Sequence, residues 1–254
     1  MALDTLLLFL LATAIGSYVQ AVAGFAMGMI IVAVMAGGGL APLPVIAAVV
    51  SLLSLVNIVL ALRGHGHHLS WPLFGWMAVG LLPSVAAGVW LLEHLDARAQ
   101  WALELMLGSF IVLGSLSMMI RPRPRAALSS SPASLLAGIA GGLLGGLFSA
   151  SGPVIGWFTY RQPLTVAEIR TTLLAVFALS TAMRTIVVGV GGGLTGRVWL
   201  LFAIGLPLVI LGTWAGRSLP PAVSDVTLKR LAFALLLVMG AAAIVRALGA
   251  FAAA

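Results

Sequence analysis

Two short runs of small residues contain groups well suited to binding an anion. Residues 24–28 read Gly-Phe-Ala-Met-Gly, and residues 149–153 read Ser-Ala-Ser-Gly-Pro. Glycine lets a backbone N–H group approach an oxyanion closely, and serine adds a hydroxyl donor. Proline interrupts a helix and favours the first turn of the next, whose unpaired N–H groups attract anions. Both runs therefore predict helix starts that bind an anion; the residues concerned are Gly24, Gly28, Ser149, Ser151 and Gly152, with Pro153 beginning the second helix.

Close helix packing is the alternative explanation for these small residues. Glycine and serine are common wherever membrane helices approach one another, and for a single glycine-rich turn this is the simpler interpretation. Because a comparable run occurs in each half of the chain, the anion site is favoured. Gln20 and Asn57, polar residues in apolar stretches, are interpreted as hydrogen bonds between helices.

Three charged residues lie inside apolar stretches, where an ionisable side chain is costly and commonly functional. Arg170, one turn into its helix, either draws anions toward the site or marks the cytoplasmic side. Arg184, deeper in the same helix, either contacts an anionic substrate or extends to the interface. Glu104 either accepts a coupling proton or lies near the interface beside a basic group. Buried carboxylates are scarce, which disfavours a cation pump; the coupling ion, proton or sodium, stays open.

The composition excludes several classes of protein. Hydrophobic residues make up 62% of the chain and charged residues 7%, which is typical of a membrane protein. The 13 Lys and Arg residues are spread along the chain among apolar runs, so nucleic acid is not expected as a partner. The chain has no cysteine, and no phosphate loop, nucleophile elbow or zincin motif appears. We expect no enzyme activity, no cofactor and no metal; the loop with His65, His67 and His68 lacks a carboxylate or thiolate partner.

A spaced pattern occurs twice and indicates an internal duplication. Its two copies are Leu82, Pro83, Gly88, Trp90, Leu95 and Leu206, Pro207, Gly212, Trp214, Leu219. The apolar blocks between polar joints are mostly long enough to cross a bilayer. The first block of each half is longer and is interrupted at residues 24–28 or 149–153, which predicts a hairpin. The expected fold is all-α, with repeats at 1–120 and 132–254, each a broken or re-entrant hairpin plus three transmembrane helices, and a linker at 121–131.

Charge counting predicts the orientation of the repeats. If both hairpins return to their starting side, one face collects nine basic residues and the other three: Arg63, Arg121, Arg123, Arg125, Arg161, Arg170, Arg217, Lys229 and Arg230 against Arg98, Arg197 and Arg246. If each long block crossed once, the split would be six against six, which violates the positive-inside rule. The halves are therefore expected to be inverted repeats in an inner or plasma membrane, with the linker cytoplasmic and both chain ends outside the cytoplasm.

Two segments resemble the sulfite exporter TauE/SafE family. They are residues 20–39 (QAVAGFAMGMIIVAVMAGGG) and residues 141–160 (GGLLGGLFSASGPVIGWFTY), the latter followed by residues 169–177 (IRTTLLAVF). The likeness covers essentially the whole chain. It implies that Gly24, Phe25 and Gly28 belong to the first signature, Gly152 and Pro153 to the second, and Arg170 to the arginine that follows it.

The resemblance implies export of sulfite, sulfonates or similar sulfur-containing anions. Alternating access around the two hairpin tips is the expected mechanism. Met27 stands where the family often has glycine, and its bulk favours an organic sulfonate or another weakly hydrated anion. A passive anion channel and a non-transporting membrane scaffold stay open as alternatives, as does the oligomeric state.

Overall fold

The described part of the chain folds into helices, most of them long and apolar. The computed structural model describes residues 3–62, 68–119, 124–219 and 225–252. These residues form ten α-helices: α1 (Leu3–Ala23), α2 (Met27–Met35), α3 (Leu43–Leu62), α4 (Trp71–Arg98), α5 (Gln100–Met119), α6 (Ser131–Phe148), α7 (Gly152–Tyr160), α8 (Val166–Val190), α9 (Gly196–Ser218) and α10 (Asp225–Ala252).

Seven of the described helices are long and apolar enough to cross a bilayer: α1, α3, α4, α5, α6, α8 and α9. α10 carries a shorter apolar stretch, Leu237–Phe251. The chain is thus a multi-pass, helical membrane protein, as its composition predicted. Five residues used above lie outside the described ranges: Arg63, His65, His67, Arg121 and Arg123.

Both predicted interruptions are present. α1 ends at Ala23 and α2 begins at Met27, while α6 ends at Phe148 and α7 begins at Gly152. α2 and α7 fold back on their preceding helices, since Met27 lies against α1 and Ile155 against α6. Each short helix has 9 residues, about 14 Å of helix. This is too short for a hydrocarbon core of about 30 Å, so neither short helix spans it by itself.

Glycines let α4 and α6 pack almost backbone to backbone, the most extensive helix pair among the described residues. A Cβ atom at Gly138 would overlap the Met77 carbonyl oxygen, and one at Gly146 would overlap that of Val85. The contacts advance in the same direction along both helices, which shows that α4 and α6 run parallel.

α1 and α9 form a similar pair. Gly205 of α9 lies against Phe9, and Gly212 lies against Ser17. These contacts also advance in the same direction, so α1 and α9 run parallel. α3 also runs parallel to α9. Leu53 lies against Gly205, and Asn57, one turn further along α3, donates to Thr213, which lies further along α9.

α5 and α10 run antiparallel. Trp101 packs against Phe251 at a ring-centroid distance of 4.8 Å, and Gly108 lies against Ile244. The order of contacts is reversed between the two helices.

The helix pairs fall into matching sets. Helices α1 to α5 correspond in order to α6 to α10. When each helix is exchanged for its counterpart, the α1–α9 pair becomes the α6–α4 pair, and the α3–α9 pair becomes the α8–α4 pair. The α3–α8 and α5–α10 pairs are unchanged by this exchange, because each consists of two corresponding helices. The duplicated sequence pattern has matching environments, because Trp90 is 63% exposed and Trp214 is 61% exposed.

Candidate functional site

The two interruptions meet inside the helix bundle. A Cβ atom at Gly28 would overlap the carbonyl oxygen of Ser149, so only glycine lets the start of α2 approach the end of α6. The Phe25 ring lies beside Gly152, 3.4 Å from the Cβ position there. The structure therefore brings together two runs that are far apart in the sequence.

The backbone at each interruption adopts conformations that are unusual for residues with side chains. Ala26 has φ 98° and Ser149 has φ 53°. Left-handed conformations cost L-residues about 1–2 kcal/mol and concentrate at functional sites. Neither α2 nor α7 receives a side-chain cap at its N-terminus. One first-turn N–H group is used, since Met27 N donates to Oε1 of Gln20 at 3.2 Å.

A small cavity lined by both polar and apolar residues lies between the interruptions. Its volume is about 30 Å³, which is enough for about two water molecules. Of the predicted site residues, it is lined by Phe25, Gly28, Ser149, Ser151, Gly152 and Pro153. The helices add Gln20 from α1, Ser54 from α3, and Ser180 and Thr181 from α8.

Three hydroxyl groups of this cavity are available to a ligand. Among the described residues, we find no hydrogen-bond partner for the side chains of Ser54, Ser151 and Ser180. All three residues are buried, between 3% and 6% exposed. Because these residues line the cavity, each hydroxyl could donate its hydrogen to an anion bound there.

Arg184 lies behind the cavity wall and is 1% exposed. Its Nε donates to the Gly146 carbonyl at 3.0 Å, and Nη1 donates to Ser51 Oγ at 3.0 Å. Ser51 Oγ is in turn 2.9 Å from Ser149 Oγ. Two hydrogen bonds thus connect the buried guanidinium to a hydroxyl of the cavity, and the extension of Arg184 to the interface is wrong.

Arg170 is placed differently. Its Nη2 donates to the Ala21 carbonyl near the end of α1, and its Cγ lies 3.4 Å from the Cβ position of Gly24. Neither Arg170 nor Gly24 is among the residues that line the cavity. Arg170 thus ties α8 to the first interruption without reaching into the cavity.

Glu104 and Met27 do not face the cavity either. Glu104 lies one turn into α5, where its Oε1 accepts from Gln100 Nε2 at 3.2 Å. Met27 is 0% exposed and packs against Gly16 of α1. The expectation that Met27 shapes the binding pocket is therefore wrong, because its side chain points away from the second interruption.

Gln20 and Asn57 hold the α1, α3 and α9 framework together. Gln20 Nε2 donates to Asn57 Oδ1 at 2.9 Å, and Asn57 Nδ2 donates to Thr213 Oγ1 at 2.7 Å. The predicted hydrogen bond between helices is confirmed, and Gln20 also lines the cavity. No sequence pattern pointed to Ser51, Ser54 or Ser180, which are single hydroxyl-bearing residues in apolar helices.

Comparisons with known proteins agree with this architecture. Residues 8–243 match the family model described as sulfite exporter TauE/SafE. A probable sulfite/organosulfonate exporter TauE from Cupriavidus necator is 41% identical over 236 residues, 93% of this chain and 92% of that protein. No solved structure matches the chain. Because the family model covers nearly the whole chain, the protein belongs to the sulfite exporter TauE/SafE family.

Proposed function

We propose that this protein is a secondary transporter that exports small sulfur-containing anions across the cell membrane. The family is one of exporters and not of enzymes, and a close relative is named a probable sulfite/organosulfonate exporter. The observation that carries the proposal is the cavity between the interruptions, which combines unpaired hydroxyls with a buried guanidinium nearby.

Charge is the first argument for an anion. Arginine stays protonated in proteins, and both hydrogen-bond acceptors of Arg184 are neutral. Glu93 attracts the guanidinium electrostatically, but no hydrogen bond joins the two side chains among the described residues. A buried charge that no carboxylate contacts directly is costly. An anion in the cavity, two hydrogen bonds away, would offset that cost, and the starts of α2 and α7 would add their partial positive charges.

The serine pair provides a donor that responds to the ligand. Ser51 Oγ lies 2.9 Å from both the Ala47 carbonyl and Ser149 Oγ, but it has one hydrogen to donate. When Ser51 donates to Ala47, Ser149 donates to Ser51. When an anion enters, Ser51 turns to donate to Ser149, and the hydrogen of Ser149 points to the anion.

The size of the cavity favours a small oxyanion. Space for about two waters accepts sulfite with slight widening, whereas a sulfonate with a long substituent requires the tips to separate. Since Met27 does not face the cavity, it gives no reason to prefer the larger substrate. Within the class of sulfur-containing anions, sulfite fits this conformation best.

Inverted repeats would let the same cavity open to either side of the membrane. The antiparallel α5–α10 pair supports inversion, because these helices occupy equivalent places in the two proposed repeats, 1–120 and 132–254. A repeat pair with the same orientation would make them parallel. Arg170 and Phe25 then close one side: Arg170 holds the end of α1, and Phe25 lies against Tyr160 with ring centroids 6.3 Å apart.

Sulfite flux into proteoliposomes tests the proposal. The variant Ser149→Gly removes the hydroxyl, and glycine accepts the positive φ. We expect about a tenfold loss of sulfite affinity, since a hydrogen bond to a charged group contributes about 1.5–3 kcal/mol. Ser134→Ala is the matched control, because Ser134 lies on the same helix and donates to the Ser130 carbonyl.

Three results would contradict the proposal. Wild-type affinity in Ser149→Gly would remove the cavity from the transport pathway. Sulfite flux without acceleration by sulfite on the opposite side would indicate a channel, which the same donors can line. A scaffold would show neither flux nor stabilisation by sulfite or methanesulfonate.

A further inference from the structure

A second and larger space lies on the outside of the helix bundle, between α5, α6 and α7. It measures about 960 Å³, at the upper end of the roughly 300–1,000 Å³ range of ligand pockets. We call it the lateral groove; its walls include Met106, Leu113, Leu136, Leu144 and Phe148. Leu113 is 66% exposed and Leu136 is 64% exposed, so the groove opens toward the hydrocarbon of the bilayer.

Basic and aromatic side chains mark one end of the lateral groove. Arg125 and Trp157 are among its lining residues. The Arg161 guanidinium carbon lies 4.4 Å from the centroid of the Trp157 ring. The Arg125 backbone N–H donates to the Arg161 carbonyl at 2.8 Å, which keeps the two arginines adjacent. Tryptophan and arginine are typical of the headgroup region.

The other end of the lateral groove reaches the second interruption. The Pro153 ring lines both the groove and the central cavity. Gly114 of α5 permits this approach, because its Cβ position is 2.7 Å from Pro153 Cγ. A molecule in the groove would therefore contact the start of α7 from the membrane side.

We propose that the lateral groove binds one anionic glycerophospholipid. An acyl chain would lie along the apolar walls of α5 and α6, and the phosphate would lie between Arg125 and Arg161. Charge complementarity selects this occupant, since basic pockets between membrane helices bind anionic headgroups. A neutral lipid would satisfy the apolar walls and leave both guanidinium groups without an anion.

Native mass spectrometry of the protein in a neutral detergent tests this site. The probes are phosphatidylglycerol and phosphatidylcholine with identical acyl chains. We expect one phosphatidylglycerol to bind more tightly than phosphatidylcholine. The double variant Arg125→Gln, Arg161→Gln should bind it about thirtyfold more weakly, equivalent to about 1 kcal/mol for each arginine. Arg98→Gln, an exposed arginine at the end of α4, should bind it as wild type does.

A second variant tests the groove without altering charge. Leu136→Trp adds bulk at an exposed wall position and should lower the affinity for phosphatidylglycerol. Equal affinity for the two lipids, or unchanged binding in either variant, would overturn the proposal. Binding of glycerol 3-phosphate as tight as that of the lipid would leave only a phosphate site. A dimer without bound lipid would assign the groove to a second copy of this chain.

Discussion

Arg184 holds a permanent charge in the interior of a membrane protein. Its side chain is buried and donates to the Gly146 carbonyl and to Ser51 Oγ, while Glu93 attracts it electrostatically. Hydrogen bonds to neutral oxygens offset only part of the cost of burying a charge. We propose that Arg184 contributes little to the stability of the protein without substrate and that its charge serves to attract an anion.

The variant Arg184→Met separates the contribution of Arg184 to protein stability from its contribution to anion binding. Methionine fills a similar volume without charge, so the free energy of unfolding without substrate should lie within about 1 kcal/mol of wild type. Sulfite affinity should fall roughly thirtyfold, since a charge two hydrogen bonds away contributes about 2 kcal/mol. Thermal unfolding with and without sulfite measures both quantities. An unfolded variant, or one still stabilised by sulfite to the wild-type extent, would make Arg184 purely structural.

The importance of the serine and glycine runs could be predicted from their residue types, because glycine permits close approach of two backbones and serine provides a hydroxyl donor. Ser51 was not predictable. A lone serine in an apolar helix usually donates to its own backbone, as Ser51 does to Ala47. Its link to Arg184 and Ser149 depends on the packing of α3 against α6 and α8, which no local pattern encodes.

At the level of helices, the two hairpin tips contact each other directly. The start of α2 contacts the end of α6 over Gly28, where any side chain would overlap the Ser149 carbonyl. At Gly152 the nearest atom is Cδ2 of Phe25, 3.4 Å from the Cβ position, which is an ordinary van der Waals contact. The two glycines therefore differ in tolerance, although both belong to the family signatures.

Alanine substitutions should reveal this difference. Gly28→Ala forces the tips apart, and overpacking of this kind costs about 1–3 kcal/mol; we expect folded protein with lower thermal stability and no sulfite flux. Gly75→Ala is the control, since no atom lies within 4 Å of its Cβ position, and alanine in the α4 interior should stabilise by about 0.5–1 kcal/mol. Full flux in Gly28→Ala would show that the tips do not need this contact.

Both hairpins were predictable from the length of the apolar blocks and from glycine and proline at the breaks. The short reach of α2 was not predictable, since apolar sequence continues past its end, whereas α7 ends at Tyr160 directly before the polar residues Arg161 and Gln162. α2 ends at Met35 within a run of small and apolar residues. The close α4–α6 packing is visible in the sequence only as frequent glycine, which does not identify the partner helix.

At the level of the whole molecule, the helix directions and the distribution of basic residues both support the proposed inversion of the two units. The parallel α1–α9 and α4–α6 pairs and the antiparallel α5–α10 pair fit two units of opposite orientation. The duplicated Leu-Pro-Gly-Trp pattern predicted two units, and the unequal distribution of arginine and lysine predicted their inversion. Sequence alone did not predict which helices of one unit pack against the other.

Inversion makes a direct prediction about the starts of the two units. Leu3 opens α1 and is 70% exposed, whereas Ala127 is exposed in the linker before α6. The chain contains no cysteine, so Leu3→Cys and Ala127→Cys each introduce a single thiol, and the unmodified chain is the blank. In intact cells, a membrane-impermeant maleimide should label Leu3→Cys at once and Ala127→Cys only after permeabilisation. Labelling of both positions from the same side would mean that the two units share one orientation, and a single cavity could not then open alternately by exchange of their roles.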